Sequence, residues 1–176
     1  MASYYIYLIS SLPMLQFNSP PAFNLDSFIH HCAELVPRQD LIFIKRVIST
    51  DAYALDLSEN SILLKWKEFD LALRNELVRA RAARKKINPE KFLRQGVYSD
   101  ISITHIAQAS LRQASILEAE QYLDLERWKL LDEIAQGHYF DLGFLLVYAL
   151  KLVILERWVK IGAADKAEMA KKVLPN

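Results

Sequence analysis

Between Asn60 and Lys86 the chain repeats one seam of mostly apolar positions, and no proline or glycine interrupts it. The spacings alternate between four and three, which is the period of one helix face, so the pattern predicts a single helix roughly 40 Å long. Its second half, from Arg74 onwards, offers mainly alanines and arginines, and we expect it either to project from the body or to lie along a partner. The seam positions are Ile62, Trp66, Phe69, Leu73, Glu76, Ala80 and Ala83.

The first third of the chain predicts two helices after a short lead-in. The lead-in, Tyr4 to Leu12, is aromatic and β-branched, and both a strand and a helical turn fit it, with a helix or an extended segment preferred. Asparagine and aspartate favour the start of a helix and proline ends one. The predicted helices, which together form a helical hairpin, run from Asn24 or Asp26 to about Val36 and from about Gln39 to Ala54.

The last third predicts three more helices after a boundary loop near Gly96. Ser115 with Glu118 three positions later forms a capping box, and Asp141 is placed to cap the final helix. Within that helix the stretch Leu142 to Leu155 is interrupted by Lys151 and is shorter than the roughly 18 apolar residues of a membrane span. We therefore expect it to be buried within a soluble protein. The predicted helices are Thr104–Gln113, Ser115 to about Gly137, and Asp141 to about Ile161.

Composition favours the same all-α class. Four glycines and six prolines are too few for the turns of a many-stranded protein, and 52% hydrophobic with 24% charged residues is ordinary globular usage. The sequence predicts a compact multi-helix bundle with one long helix over about 60–86. We expect one helical domain over 1–176, which divides at most into two sub-lobes, 1–95 and 100–176.

The charges nearly cancel, with 22 basic and 21 acidic residues, so no overall field draws the protein to nucleic acid or to an anionic membrane. The single cysteine, Cys32, cannot form an internal disulfide, and no basic segment precedes the apolar start. These features predict a cytoplasmic protein.

Metal and nucleotide sites have little support in the sequence. His30, His31 and Cys32 are metal-ligand types, but adjacent helix positions point about 100° apart and cannot close on one ion alone. Cys32 itself is more easily explained as a core residue than as a nucleophile. The chain contains neither a Gly-rich phosphate loop nor a zinc-binding spacing. We expect no catalytic residue, no cofactor, no metal and no small-molecule substrate.

A polar ladder is predicted on the helix that Ser115 opens. Glu120 and Arg127 lie seven positions apart, and Asp124 stands three before Arg127, so local ion pairing is the favoured explanation. The rival hypothesis is an enzyme whose site is assembled around Glu120, Asp124 and His138, which requires a deep polar cleft over them.

The end of the long helix carries a run of basic residues, which is the candidate partner-binding site. Cations at a helix C-terminus complement the helix dipole, and that explains part of the run. Docking on an acidic protein surface is favoured over nucleic-acid binding, because the run lacks interleaved aromatic residues. A helical module that binds nucleic acid or protein on its own is the alternative. The candidate residues are Arg79, Arg81, Arg84, Lys85 and Lys86.

Two segments of the sequence look familiar: the opening run from Tyr4 to Leu15, and the run from Gly137 to Trp158, together with Glu118-Ala119-Glu120. They resemble a small uncharacterised (DUF2764-like) bacterial family encoded among the subunits of V/A-type ATPases. That family in turn is similar to the central-stalk C subunit, called d in eukaryotes.

The resemblance implies a non-catalytic helical adaptor that couples the central stalk to the membrane rotor ring. Its partners would be other ATPase subunits, and it would associate with the membrane peripherally through that complex. The C subunit is a longer, three-lobed protein, and this chain could supply only part of it. Within the matching segments the residues that look like fold determinants are Phe140, Tyr148, Leu152 and Trp158.

Overall fold

The computed structural model describes residues 5–49, 60–94 and 101–173, with side chains as far as residue 164. The protein is all-α, as predicted, and the described ranges contain no strand. A 3₁₀ turn, Glu90–Phe92, follows the fourth helix. The helices are α1 Ile6–Ser11, α2 Leu25–Leu35, α3 Arg38–Ile48, α4 Ser61–Lys85, α5 Ile101–Ser110, α6 Ile116–Ile134 and α7 Leu142–Val173.

The helices form two compact units, and the first unit is discontinuous in sequence. Unit 1 combines Met1–Leu55 with Ala135–Asn176, and in it α2 packs on α1, α3 and α7, while α3 also packs on α7. Burial of apolar side chains from all four helices stabilises it. The Phe28 and Tyr148 rings lie 5.2 Å apart between centroids. The predicted hairpin of α2 and α3 is confirmed, but its second helix ends at Ile48, where Ser49 is extended, and not near Ala54; residues 50–54 lie outside the described ranges.

Unit 2 is continuous, Asp56–Ile134, and contains α4, α5 and α6, each packed on the other two. Phe69 and Ile106 pack, half-buried, against its core. This division differs from the consecutive sub-lobes 1–95 and 100–176, because contacts between distant parts of the chain decide it. One cluster of buried core residues in unit 2 comprises Ala72, Leu73, Leu77, Ile103, Ala107 and Leu123.

The long helix α4 has the predicted extent. The Asn60 side chain accepts hydrogen bonds from the backbone N–H groups of Ile62 and Leu63 at 3.0 and 3.2 Å, which fixes its start. Its second half does not project from unit 2, contrary to our expectation. Leu77 and Ala82 are buried there, and Arg84 donates to the carbonyl oxygen of Leu111 at 3.1 Å. Small alanine side chains let neighbouring segments approach this half closely.

The final helix is longer than predicted. The expected end near Ile161 reflects Gly162, but the alanine- and lysine-rich residues that follow are strong helix formers, and the helix continues to Val173. Its first half is buried, as predicted, and Leu145, Leu146 and Leu152 have no exposed surface. Among the residues that the structure describes, no helix is long and apolar enough to cross a membrane.

Candidate functional site

The basic end of α4 is held in place by a well-defined helix terminus. Lys86 adopts a left-handed conformation with φ 54°, and its N–H bonds to the Ala83 carbonyl oxygen at 3.3 Å. The next N–H, from Ile87, reaches back to the Ala82 carbonyl oxygen at 3.1 Å. This pair of bonds is a Schellman motif, which satisfies the last carbonyls of the helix. The backbone that carries the basic side chains is therefore held by hydrogen bonds up to the last turn of α4.

The structure divides the five predicted basic residues into two groups. All are exposed, but Arg79 pairs with Glu76 and Arg84 bonds to the Leu111 carbonyl oxygen. The side chains of the remaining three make no hydrogen bond or ion pair with any other described residue. These three, Arg81, Lys85 and Lys86, are the cations whose charge has no partner among the described residues.

A groove of about 390 Å³ lies beside this helix end, wholly within unit 2. Arg81 and Arg84 line one side of it, and Leu111, Ile116 and Glu120 line the other. The α6 side is held by the predicted capping box, in which the Ser115 hydroxyl accepts a hydrogen bond from the Glu118 N–H at 3.1 Å. The groove thus lies between two ordered helix ends.

Residues that sequence reasoning did not select extend the surface around the groove. Arg112 is exposed, and its side chain has no partner in the described part of the chain. Ile116 is 85% exposed, and Ile87 and Leu117 are 49% and 47% exposed. Ile116 lines the groove, Arg112 and Leu117 adjoin residues that line it in the chain, and Ile87 follows the basic end of α4. We call the basic groove face the lining residues Arg81, Arg84 and Ile116 together with exposed residues that follow them, or the lining residue Leu111, in the chain: Lys85, Lys86, Ile87, Arg112 and Leu117.

The predicted polar ladder exists in altered form and is buried. Arg127 pairs with Asp124 at 2.9 Å, as predicted, but its second partner is Asp70 of α4 at 2.8 Å, which takes the place expected for Glu120. Burial opposes the charge of Arg127, yet the two carboxylates outweigh it and raise the pKa of this guanidinium. Asp70 and Asp124 are 1% and 2% exposed, so both carboxylates of the cluster are closed to solvent.

The residues considered for metal or acid–base chemistry have local structural partners. His30 lies 3.4 Å from Glu34, the Nδ1 atom of His31 lies 2.8 Å from the Ser27 carbonyl oxygen, and Cys32 is fully buried. Burial raises the pKa of the Cys32 thiol to about 12, which keeps it protonated and unreactive near neutral pH. Among the described residues no group of three His, Cys, Asp or Glu side chains is arranged to hold a metal ion.

His138, the third member of the rival enzymatic hypothesis, is tied to the start of α7. Its Nδ1 atom lies 2.6 Å from one carboxylate oxygen of Asp141, whose other oxygen accepts from the Phe144 N–H at 3.1 Å. The predicted Asp141 cap is therefore confirmed. His138 belongs to unit 1, whereas Glu120 and Asp124 belong to unit 2.

The expected fold determinants of unit 1 differ in their surroundings. Tyr148 and Leu152 are buried, and the Tyr148 hydroxyl donates to the Pro13 carbonyl oxygen at 2.8 Å. Trp158 is half-buried, and the Arg157 guanidinium lies 5.7 Å from its ring centroid. The Phe140 side chain is 40% exposed, but its carbonyl oxygen accepts a hydrogen bond from the Tyr5 N–H at 2.6 Å.

Comparison with known proteins gives one match. Residues 104–175 match a family model described as "Protein of unknown function (DUF2764)". The matched segment covers most of α5 and all of α6, which belong to unit 2, and continues through α7 of unit 1. No curated protein and no solved structure shows significant similarity to the chain.

Proposed function

We propose that this chain is a non-catalytic adaptor subunit of a V/A-type ATPase, which couples the central stalk to the membrane rotor ring. The observation that carries the proposal is the basic groove face, which combines exposed aliphatic side chains with three cations that have no hydrogen-bond or ion-pair partner among the residues that the structure describes. An exposed surface of this kind on an otherwise packed unit is typical of a protein-binding site. The sequence resemblance to the family encoded with ATPase subunits supplies the identity of the complex.

The proposal places the protein on the cytoplasmic side, held at the membrane only through its partner subunits. In an adaptor, torque passes through packed surfaces and polar contacts, so no reacting group is needed at the contact. The alternative is a helical module that binds nucleic acid or another protein independently of the ATPase. Net charge near zero and a groove lining without aromatic side chains favour a protein partner over nucleic acid.

Affinity purification of the tagged protein from cells that naturally produce it tests this proposal. We expect mass spectrometry to find catalytic and stalk subunits of the ATPase in stoichiometric amounts. The double variant Arg81→Glu/Lys85→Glu should recover them at least about tenfold less efficiently, because it reverses the sign of the contact. Lys65→Glu is the matched control, since Lys65 is an exposed lysine near the other end of the same helix.

Recovery of the intact protein without any ATPase subunit would overturn the adaptor proposal. A salt-sensitive gel shift with DNA or RNA at low ionic strength would then favour the nucleic-acid alternative, because phosphate contacts weaken steeply with added salt.

A further inference from the structure

The basic groove face combines charge and apolar surface in a geometry that suits one kind of partner. Arg81, Arg84 and Lys85 fall within an arc of roughly 100° around α4, since neighbouring positions are rotated by 100°. Across the groove, Ile116 and Leu117 on the first turn of α6 remain exposed, as does Ile87 after the end of α4. Arg81 and Arg84 thus line one side of a groove whose other side carries the aliphatic Leu111 and Ile116 beside polar side chains.

We infer that the basic groove face binds an acidic amphipathic helix of a partner protein, with an aliphatic side chain of that helix seated beside Ile116. The inference rests on the proposed function and specifies its contact. Carboxylates at positions i and i+4 of the incoming helix lie one turn apart, about 6 Å, which is the separation of Arg81 and Lys85 along α4. A helix that places its apolar stripe in a groove between two helices is a common mode of peptide recognition.

The arrangement of charges favours an acidic helix over a nucleic acid as the partner. Two carboxylates, Glu118 and Glu120, stand on the first turns of α6 next to the aliphatic side chains. A phosphate backbone carries evenly spaced negative charge and would meet them with repulsion. A helical peptide can place neutral or basic residues opposite them and its own carboxylates opposite Arg81, Arg84 and Lys85.

The apolar contribution gives the second reason for a protein partner. Ile116, at 85% exposed, is almost fully in contact with water although it sits beside a groove. Burying such a side chain on binding is favourable, because it removes apolar surface from water. Base stacking uses aromatic side chains, and none lines the groove.

The test uses the purified full-length protein and a fluorescent designed peptide that is a Leu/Glu amphipathic helix with one lysine per two turns. Fluorescence anisotropy should show saturable binding that weakens several-fold between 50 and 500 mM salt, because exposed charges are screened. A scrambled peptide of identical composition, which lacks the apolar stripe, should bind at least about fivefold more weakly.

Two variants and a control separate the contributions to this binding. Arg81→Glu/Arg84→Glu should weaken the designed peptide at least about tenfold, and Ile116→Glu at least about fivefold, while Lys65→Glu should leave its affinity unchanged. Circular dichroism shows whether each variant retains the helical content of the parent.

Equal binding of the designed and scrambled peptides would overturn the inference, as would displacement of the designed peptide by an equal concentration of a single-stranded oligonucleotide. Failure of this inference is distinguishable from failure of the adaptor proposal. Co-purified ATPase subunits without peptide binding would reject the amphipathic-helix contact alone. Peptide binding without ATPase subunits would reject the ATPase assignment alone.

Discussion

Arg127 holds a buried ion-pair cluster in the interior of unit 2. It receives carboxylates from two helices, Asp70 of α4 and Asp124 of α6, and Arg74 adds a second guanidinium to Asp70 at 2.7 Å. A buried charge is costly unless it is paired and hydrogen-bonded. The cluster therefore fixes which turn of α4 lies beside which turn of α6, because a shift along either helix would separate the charges.

Removing one carboxylate from this cluster should be strongly destabilising. We expect Asp70→Asn, which keeps the side-chain shape, to lower the free energy of unfolding by about 3 kcal/mol, since Arg127 would keep only one anionic partner. Arg74→Gln is the control and should cost less than about 1 kcal/mol, because its side chain is 43% exposed. Urea unfolding followed by circular dichroism measures both, and equal small losses would contradict the assigned role.

The helices themselves show which features of a sequence can be interpreted locally. The caps provided by Asn24, Ser115 and Asp141 were predictable, because each bonds a backbone N–H only three positions later. The Asp70–Arg127 pair was not, because its members are separated by 57 positions and nothing near either one signals the other.

The candidate site was predictable to a similar degree. The basic run ends one helix and is visible as a cluster in the sequence. The sequence could not predict which of its members have partners within the protein, since Arg84 donates to the Leu111 carbonyl oxygen only because α5 packs against α4. The same packing supplies Arg112 and Ile116, which no local pattern marks as partners of that run.

The start of α4 provides a test at the level of a single element. Asn60→Ala removes the acceptor of two backbone N–H groups, and we expect it to lower the free energy of unfolding by about 1 kcal/mol. Asn60→Ser should retain most of the stability, because serine can accept the same bonds. Thermal unfolding measures both variants, and an alanine variant as stable as the parent would show that the cap contributes nothing.

At the scale of the whole molecule, the division into units does not follow the order of the chain. Unit 2 is one continuous segment, whereas unit 1 is built from two segments that unit 2 separates. The segment that matches the family model crosses the boundary after Ile134, so the similarity is not confined to one unit. The family match is one continuous segment of sequence, whereas the two units are defined by which residues pack together in space.

Because unit 2 is one continuous segment of the chain, we predict that it can fold on its own. We expect a fragment of residues 56–134 to be helical and to unfold cooperatively, with a stability of only a few kcal/mol, because it has its own core but is small. Leu73→Ala within the fragment should remove about 2–5 kcal/mol and abolish the cooperative transition, since Leu73 has no exposed surface. A gradual, non-cooperative urea transition of the parent fragment would contradict this prediction.

The interleaved order also has a consequence for synthesis on the ribosome. The bonds between Leu25 and Glu156 and between Tyr148 and Pro13 join residues 131 and 135 positions apart. At about 5–20 residues per second, α2 emerges roughly 7 to 26 seconds before the helix that completes its core. During that interval the nascent chain exposes the apolar faces of α2 and α3, and unit 2 is completed only near its end, at Ile134. This is the period in which a chaperone would be needed most.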